Sequence, residues 1–510
     1  MDSSVAWFYK ICVNEKLPGF QVLKKFHFTQ VLMVGIGIDF GTSNSVAATF
    51  DGERITLVPL EAAGPIMPTA THLDRGLNTK TGQPAIDQYI EENRDRIVEL
   101  TSEVIAKSTL LTSERNVEDP NSEAETASNF VYSKPNIDLG MPGRLFRGVK
   151  RLLGNPDIKR LLVFDHPFRL VALVTPVLLS IRHAITSIVN EGVADVHFGH
   201  PVEFEGHDRE SNQLALSRLE EAAGYAGLRA LKFYPEPVAA TLSYFHNIAQ
   251  DKTSPEQGNV LTIDFGGGTL DLCVMSFDHQ CSGMPTFQVL STAGIPLGGD
   301  HIDQLIFRQL LFPLLGKGEI WSRMSDGRRI ESPFPFEEFE QRLLNWPVTY
   351  TLNQNQYRAK VADCIRQGGA AAQKFERLDD LITHNYSYIV FQAIREAKAA
   401  LSDVEETLLD IPEIDVTIAF TRTMFEDMLT DILDQIREVL DEAIRRADIS
   451  DSDVDYVIRT GGSSQIAAVR VLLEERFPRQ VTEHDPFTSV AAGLAIANHH
   501  GYVFNGDPGD

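Results

Sequence analysis

From Val34 onward, short apolar runs that end on glycine-bearing turns alternate with longer stretches in which apolar residues return every third or fourth position. The short runs Val34 to Ile38, Ala47 to Phe50, Arg54 to Val58, Val260 to Ile263 and Tyr456 to Thr460 predict strands. Asp51-Gly52 between the second and third predicts a hairpin. Arg209 to Ala226 and Thr423 to Ala447 predict amphipathic helices. In the latter, Met424, Met428, Ile432, Ile436, Val439 and Ile444 form the inward stripe, with Thr421 as the cap. Such alternation predicts an α/β architecture. The polar segments Thr112 to Asn129 and Gln250 to Gly258 read as loops, the second as a crossover between two lobes. Leu170 to Ile181, interrupted by Thr175 and Pro176, predicts a buried helix with proline near its first turn, too short to span a bilayer.

Two of the strands end on turns of one chemical type. Asp39-Phe40-Gly41-Thr42-Ser43-Asn44 follows the first, and Asp264-Phe265-Gly266-Gly267-Gly268-Thr269-Leu270-Asp271 follows Val260 to Ile263. Each sets a carboxylate at a strand end, then glycine that lets backbone NH groups point at an anion, then a threonine hydroxyl. One such turn alone is also an ordinary hairpin composition. Two of them, each in a repeated strand, turn and hairpin, predict related halves that clamp a polyphosphate and its metal ion in a cleft between them.

The 510 residues, 43% of them hydrophobic, suffice for two or more cores, and the net charge of −25 disfavours nucleic acid or an anionic membrane as partner. Cys12, Cys273, Cys281 and Cys364 show neither CxxC pairing nor a histidine cluster, which argues for a reducing compartment, most simply the cytoplasm.

A third glycine turn, Gly461-Gly462-Ser463-Ser464, follows Tyr456 to Thr460 and precedes a helix beginning near Ile466. Adjacent glycines admit a flat ligand or a sugar close to the backbone. In this order the three turns resemble the actin-like ATPase superfamily and, within it, the heat-shock-protein-70 chaperones. Gly37 to Thr42 is similar to their first phosphate motif, Asp264 to Asp271 to their second, and Phe233-Tyr234-Pro235-Glu236-Pro237-Val238-Ala239-Ala240 to their hinge motif. Asp485 to Ala495 resembles the second hinge helix, and Ser291 to Asp303 the segment after the second phosphate turn.

The resemblance implies a two-lobed fold with a duplicated ribonuclease-H-like core and inserted subdomains. It implies a first lobe over 33–250, a second over 258–500 with a helical insert at about 317–402, and a dispensable extension over 1–32. It also implies a slow Mg²⁺-dependent ATPase that passes its nucleotide state to a protein partner. Asp39, Asp264 and Glu236 would surround Mg²⁺ through water. Gly41, Thr42, Ser43, Asn44, Gly266, Gly267, Gly268 and Thr269 would hold the phosphates. Lys150 would position the attacking water, although by itself it also reads as a solvated helix lysine. Lys398, Ser402, Gly461, Gly462, Ser463, Gln465 and Asp485 would surround the nucleoside. His200, Pro201 and Arg209 resemble a relay that reports nucleotide state, and read equally as an ordinary loop proline and helix arginine. Three positions depart from the family pattern. Arg395 replaces an acid, Ala399 a basic residue, and Gln465 an arginine that stacks on adenine. The chain's end at Asp510 and the segment Leu297 to Gly316 suggest a YegD-type stand-alone ATPase domain without a peptide-binding domain. The aromatic residues Trp321, Phe334, Phe336 and Trp346 read as subdomain core or as a docking surface. A sugar or metabolite kinase and an actin-like filament protein are the alternatives on the same fold.

Overall fold

The first strand-like run forms Gly35–Phe40, and a tight turn returns it antiparallel as Asn44–Phe50, then Ile55–Leu57. On its other edge lie, in parallel, Asp195–His200 and then Arg229–Pro235. The second half repeats this order. Gln257–Phe265 turns antiparallel into Leu270–Asp278 and Thr286–Ile295, and its free edge takes Tyr456–Thr460 and Val481–Glu483 in parallel. Two sheets with one topology constitute the expected duplication. The computed structural model describes residues 34–101, 104–111, 126–132, 137–138, 140–164, 166–189, 195–202, 204, 209–249, 257–278, 286–325 and 328–502. The expected extension over 1–32, Cys12, Cys281 and most of the two polar loops lie outside them.

Each half closes on a helix that packs against the other half's sheet. Glu236–Ala249 follows the first sheet, yet Thr241 Oγ1 meets Thr262 Oγ1 at 2.5 Å and Phe245 sits 4.6 Å from Phe277. Ser489–His500 follows the second sheet and lies on the first strand, where a Cβ on Gly37 would come within 2.2 Å of the Ala491 carbonyl oxygen. The two helices cross where a Cβ on Gly493 would stand 1.7 Å from the Ala239 carbonyl oxygen. Glycine is required there for close approach.

Three sequence expectations change and a fourth, left open between two readings, is decided. The apolar helix is Leu170–Val189, 20 residues long, because Ile185 continues the buried stripe of Leu170, Leu173, Val174, Val177, Leu178 and Ile181 past the polar positions. It is therefore long and apolar enough by length and composition to cross a membrane, although in the fold one face lines the first core; Pro176 sits inside it and not in its first turn. The helix expected over Thr423 to Ala447 is two, Arg422–Met428 and Thr430–Arg446, parted at Leu429, whose NH is shared between the Phe425 and Glu426 carbonyls. Thr421 caps the first by accepting from the Met424 NH, and Met424 itself is exposed. The end of the expected loop at Thr112 to Asn129 belongs to the strand Thr126–Tyr132, paired with Val104–Leu111. Finally, Phe334, Phe336 and Trp346 are buried in the main core, so they are subdomain core. Trp321 packs partly buried against that core, its ring beside Phe334.

Candidate active site

The two phosphate-type turns face each other at contact distance. A Cβ on Gly267 would lie 2.8 Å from Ser43 Oγ, and one on Gly268 would lie 3.1 Å from Thr42 Oγ1. A side chain at either position would have to push the facing side chains back. The third turn closes on the second: Gly461 has φ 80, a Cβ there would meet the Phe265 carbonyl oxygen at 2.4 Å, and Ser463 Oγ donates to the Gly266 carbonyl at 3.0 Å. From behind, the NH groups of Gly299 and Asp300 donate to the carbonyls of Gly266 and Gly267. Asp300 also reaches across, accepting from Ser43 Oγ at 3.3 Å and pairing with Arg151 at 3.5 Å.

Below the turns lies a buried charge cluster. Lys150, on the short helix Val149–Leu152, donates to Glu236 Oε1 at 2.5 Å. Glu236 opens its helix, where the positive end favours a carboxylate, and Gly199 leaves room for it: a Cβ there would stand 3.2 Å from Glu236 Cγ. Burial, reinforced by Glu236 and opposed by Lys150, pushes the Asp39 carboxyl up to about 7. Burial and the neighbouring acids Glu236, Asp271 and Asp39 hold Asp264 well above the usual carboxylate range. Asp271, directly across the hairpin from Asp264, is pushed up to about 7 by burial and Glu236, although bonds from Thr269 and the Val202 NH work the other way. Burial works against the Lys150 ammonium, but Glu236, Asp39 and Asp271 outweigh it and raise its pKa.

Four acids around one lysine leave the cluster short of positive charge, and Asp39 Oδ1 is shut from solvent without a hydrogen-bond partner among the described residues. Buried carboxylates in that condition fit a cation. Among the described residues no three acidic, histidine or cysteine side chains converge closely enough to ligate an ion directly. A hard ion held through its own waters suits this geometry.

Cluster and turns form the floor of a cleft of about 500 Å³. Of the residues expected at the site, all but Gln465 and Asp485 line it. The Gln465 amide nitrogen is closed off without a partner among the described residues, and Ile466 takes the wall in its place. Asp485 accepts from the Phe487 and Thr488 NH groups and from Thr488 Oγ1, so it caps the approach to the hinge helix and presents Pro486 and Phe487 to the cleft. Lys398 is in the wall but is held by Asp303 at 2.5 Å and the Gly299 carbonyl at 3.2 Å. Pro201 lines the cleft beside His200, whose Nδ1 donates to the Pro201 carbonyl, and Arg209 opens the helix Arg209–Tyr225. Sequence reading missed Arg147, Asp271, Asp300, Asp303, Tyr388 and Phe487. Asp271, Asp300, Asp303 and Phe487 lie inside segments that carry the family resemblance, whereas Arg147 and Tyr388 carried no local signal.

A duplicated sheet order, crossed hinge helices and facing glycine turns over a carboxylate cluster define the two-lobed actin-like ATPase fold. Comparison with protein families matches "Hsp70 protein" over residues 163–320 and 371–507. The chain belongs to the Hsp70 family. It is 24% identical over 471 residues to the chaperone protein dnaK of Cyanidioschyzon merolae, covering 90% of this chain and 61% of that one. It is 23% identical over 471 residues to heat shock 70 kDa protein 6, chloroplastic, of Arabidopsis thaliana, covering 91% and 51%. With the chaperone protein DnaK of Picrophilus torridus it shares 26% over 472 residues, covering 90% and 57%. The chain thus spans between about half and three-fifths of the length of these relatives.

Proposed function

We propose that the chain binds ATP with Mg²⁺ in this cleft, hydrolyses it slowly, and passes the open or closed state of its two lobes, 33–250 and 258–500, to a protein partner. The observation that carries the reading is the contact of the two glycine turns directly above the Lys150–Glu236 pair. Backbone NH groups of both turns, with Thr42, Ser43 and Thr269, would hold the phosphate oxygens. Asp39, Asp264 and Glu236 would hold the waters around Mg²⁺, which when bound neutralises charge on the phosphates. Lys150 would orient the attacking water and offset charge that builds on the transferring phosphoryl group. Because the hinge helices each rest on the opposite sheet, a change at the turns would move the lobes about the Gly493 crossing. The segment Leu297 to Gly316 favours a YegD-type placement within the family. A reducing compartment belongs to the reading, supported by Cys273 and Cys364, both buried and free. The family does not by itself fix which one, since one relative is named as chloroplastic.

Phosphate release from ATP, assayed with Mg²⁺, with chelator, and with a panel of sugars, tests this reading. We expect slow release that needs Mg²⁺ and ignores the sugars. ADP formation only in the presence of one sugar would replace it with a kinase.

A further inference from the structure

The cleft wall carries two guanidinium groups that the catalytic reading does not use. Arg147 ends the strand Gly143–Arg147 on the first-lobe side, and Arg395 lies on the helix Ser387–Ala400 facing it. Neither forms an ion pair with any described carboxylate. The Arg147 side chain is half-buried, and its Nε is shut from solvent with no hydrogen-bond partner among the described residues. Each guanidinium is backed by an aromatic ring: Trp346 lies 5.3 Å from Arg147, and Tyr388 lies 5.7 Å from Arg395. Burial lowers the Arg147 pKa; Asp300 opposes this, and the charge of Arg395 adds a smaller push in the same direction as burial. The two cations therefore repel each other, each with a ring beside it. The nearby Lys398 is already neutralised by Asp303.

We propose that Arg147 and Arg395 form a second anion subsite in the cleft, which takes a phosphate group and draws the two walls together. Paired guanidinium forks match the oxygens of a phosphate and, unlike a single lysine, fix its orientation. A dianion would cancel both charges and satisfy the stranded Arg147 Nε. The group could be free inorganic phosphate or a phosphate carried on the ribose of a nucleotide, since the same cleft holds the polyphosphate turns; this second source rests on the nucleotide reading above.

Calorimetric titration of the full chain separates these. Inorganic phosphate is titrated into protein saturated with a non-hydrolysable ATP analogue and Mg²⁺, which would fill the turns. Wild type should show one saturable event, weakened at least about tenfold in Arg147→Gln and absent in Arg395→Glu, with Arg395→Lys intermediate. ADP carrying a 3′-phosphate should bind more tightly than ADP to wild type and equally to Arg395→Glu if the ribose is the source. Circular dichroism of each variant confirms that it is folded. No saturable phosphate event in wild type, together with equal affinity for the two nucleotides, overturns the proposal. Failure of ADP itself to bind would count against the nucleotide reading, and in that case phosphate titrated into the nucleotide-free chain must still lose one site in Arg395→Glu.

Discussion

Lys150 is the side chain whose loss separates chemistry from binding. Its ammonium is locked to Glu236 beneath the turns and away from the nucleoside wall. Lys150→Ala should therefore lower turnover at least about tenfold while changing ATP affinity much less, because the lost charge acts on the transferring group. Asp39→Asn and Thr269→Ala should each cut hydrolysis by a similar factor, and single-turnover assays beside equilibrium titration measure both quantities. Intact turnover in Lys150→Ala would show that the first-lobe assignment is wrong. At the nucleoside end the structure moves the expectation from Gln465 to Phe487. Phe487 is 51% exposed and packs over Gly462, which offers a ring face where Gln465 offers none. Base stacking on an aromatic side chain contributes about 1–3 kcal/mol. Phe487→Ala should thus weaken ATP but leave inorganic triphosphate binding unchanged, and Gln465→Arg should alter neither. Equal losses for the two ligands in Phe487→Ala would remove the ring from the base.

At the scale of elements, the crossing of Glu236–Ala249 and Ser489–His500 is the joint on which lobe motion depends. A methyl group at Gly493 would stand 1.7 Å from a backbone oxygen, which no side-chain rotation relieves. Gly493→Ala should cost about 1–3 kcal/mol by overpacking, read as a lower melting temperature. Gly224 offers the control: it lies in a helix and nothing would touch its Cβ, so Gly224→Ala should leave the protein as stable or raise stability by about 0.5–1 kcal/mol. A Gly493→Ala protein that melts with wild type would mean the helices do not bear on each other. This joint also marks the limit of what the sequence discloses. Strands and turns were legible because period-two runs and Asp-Gly turns are local signals, and so were Asp39, Asp264, Glu236 and Lys150 through their motifs. Arg147 and Tyr388 come to one cleft only through packing between distant elements, and their neighbours in the chain give no sign of it. Gln465 is off the cleft wall for a different reason. The turn Gly462–Gln465 carries its side chain off the wall, a rotation that depends on how the turn closes over the second sheet.

For the whole molecule, the carboxylate cluster makes stability depend on what fills the cleft. Asp39, Asp264, Asp271 and Glu236 come from both halves and are brought together only when the lobes dock, so their mutual repulsion in a buried setting opposes the docked fold. Lys150 offsets part of it. In the presence of chelator, Asp264→Asn should therefore melt at or above wild type, because it removes a buried carboxylate whose repulsion by its neighbours Lys150 offsets only in part. Adding Mg²⁺ and ATP should reverse the order. A ligand that binds only the folded state at about a hundred times its Kd adds about 2.7 kcal/mol, and wild type should collect that gain in full while Asp264→Asn, with a carboxylate missing from the ion's water shell, collects less. Thermal unfolding of both proteins in chelator, in Mg²⁺ alone and in Mg²⁺ with ATP gives the comparison. If Asp264→Asn melts well below wild type in chelator, the aspartate is held by contacts that stabilise it without an ion, and the cluster is a structural network instead of a site awaiting a cation.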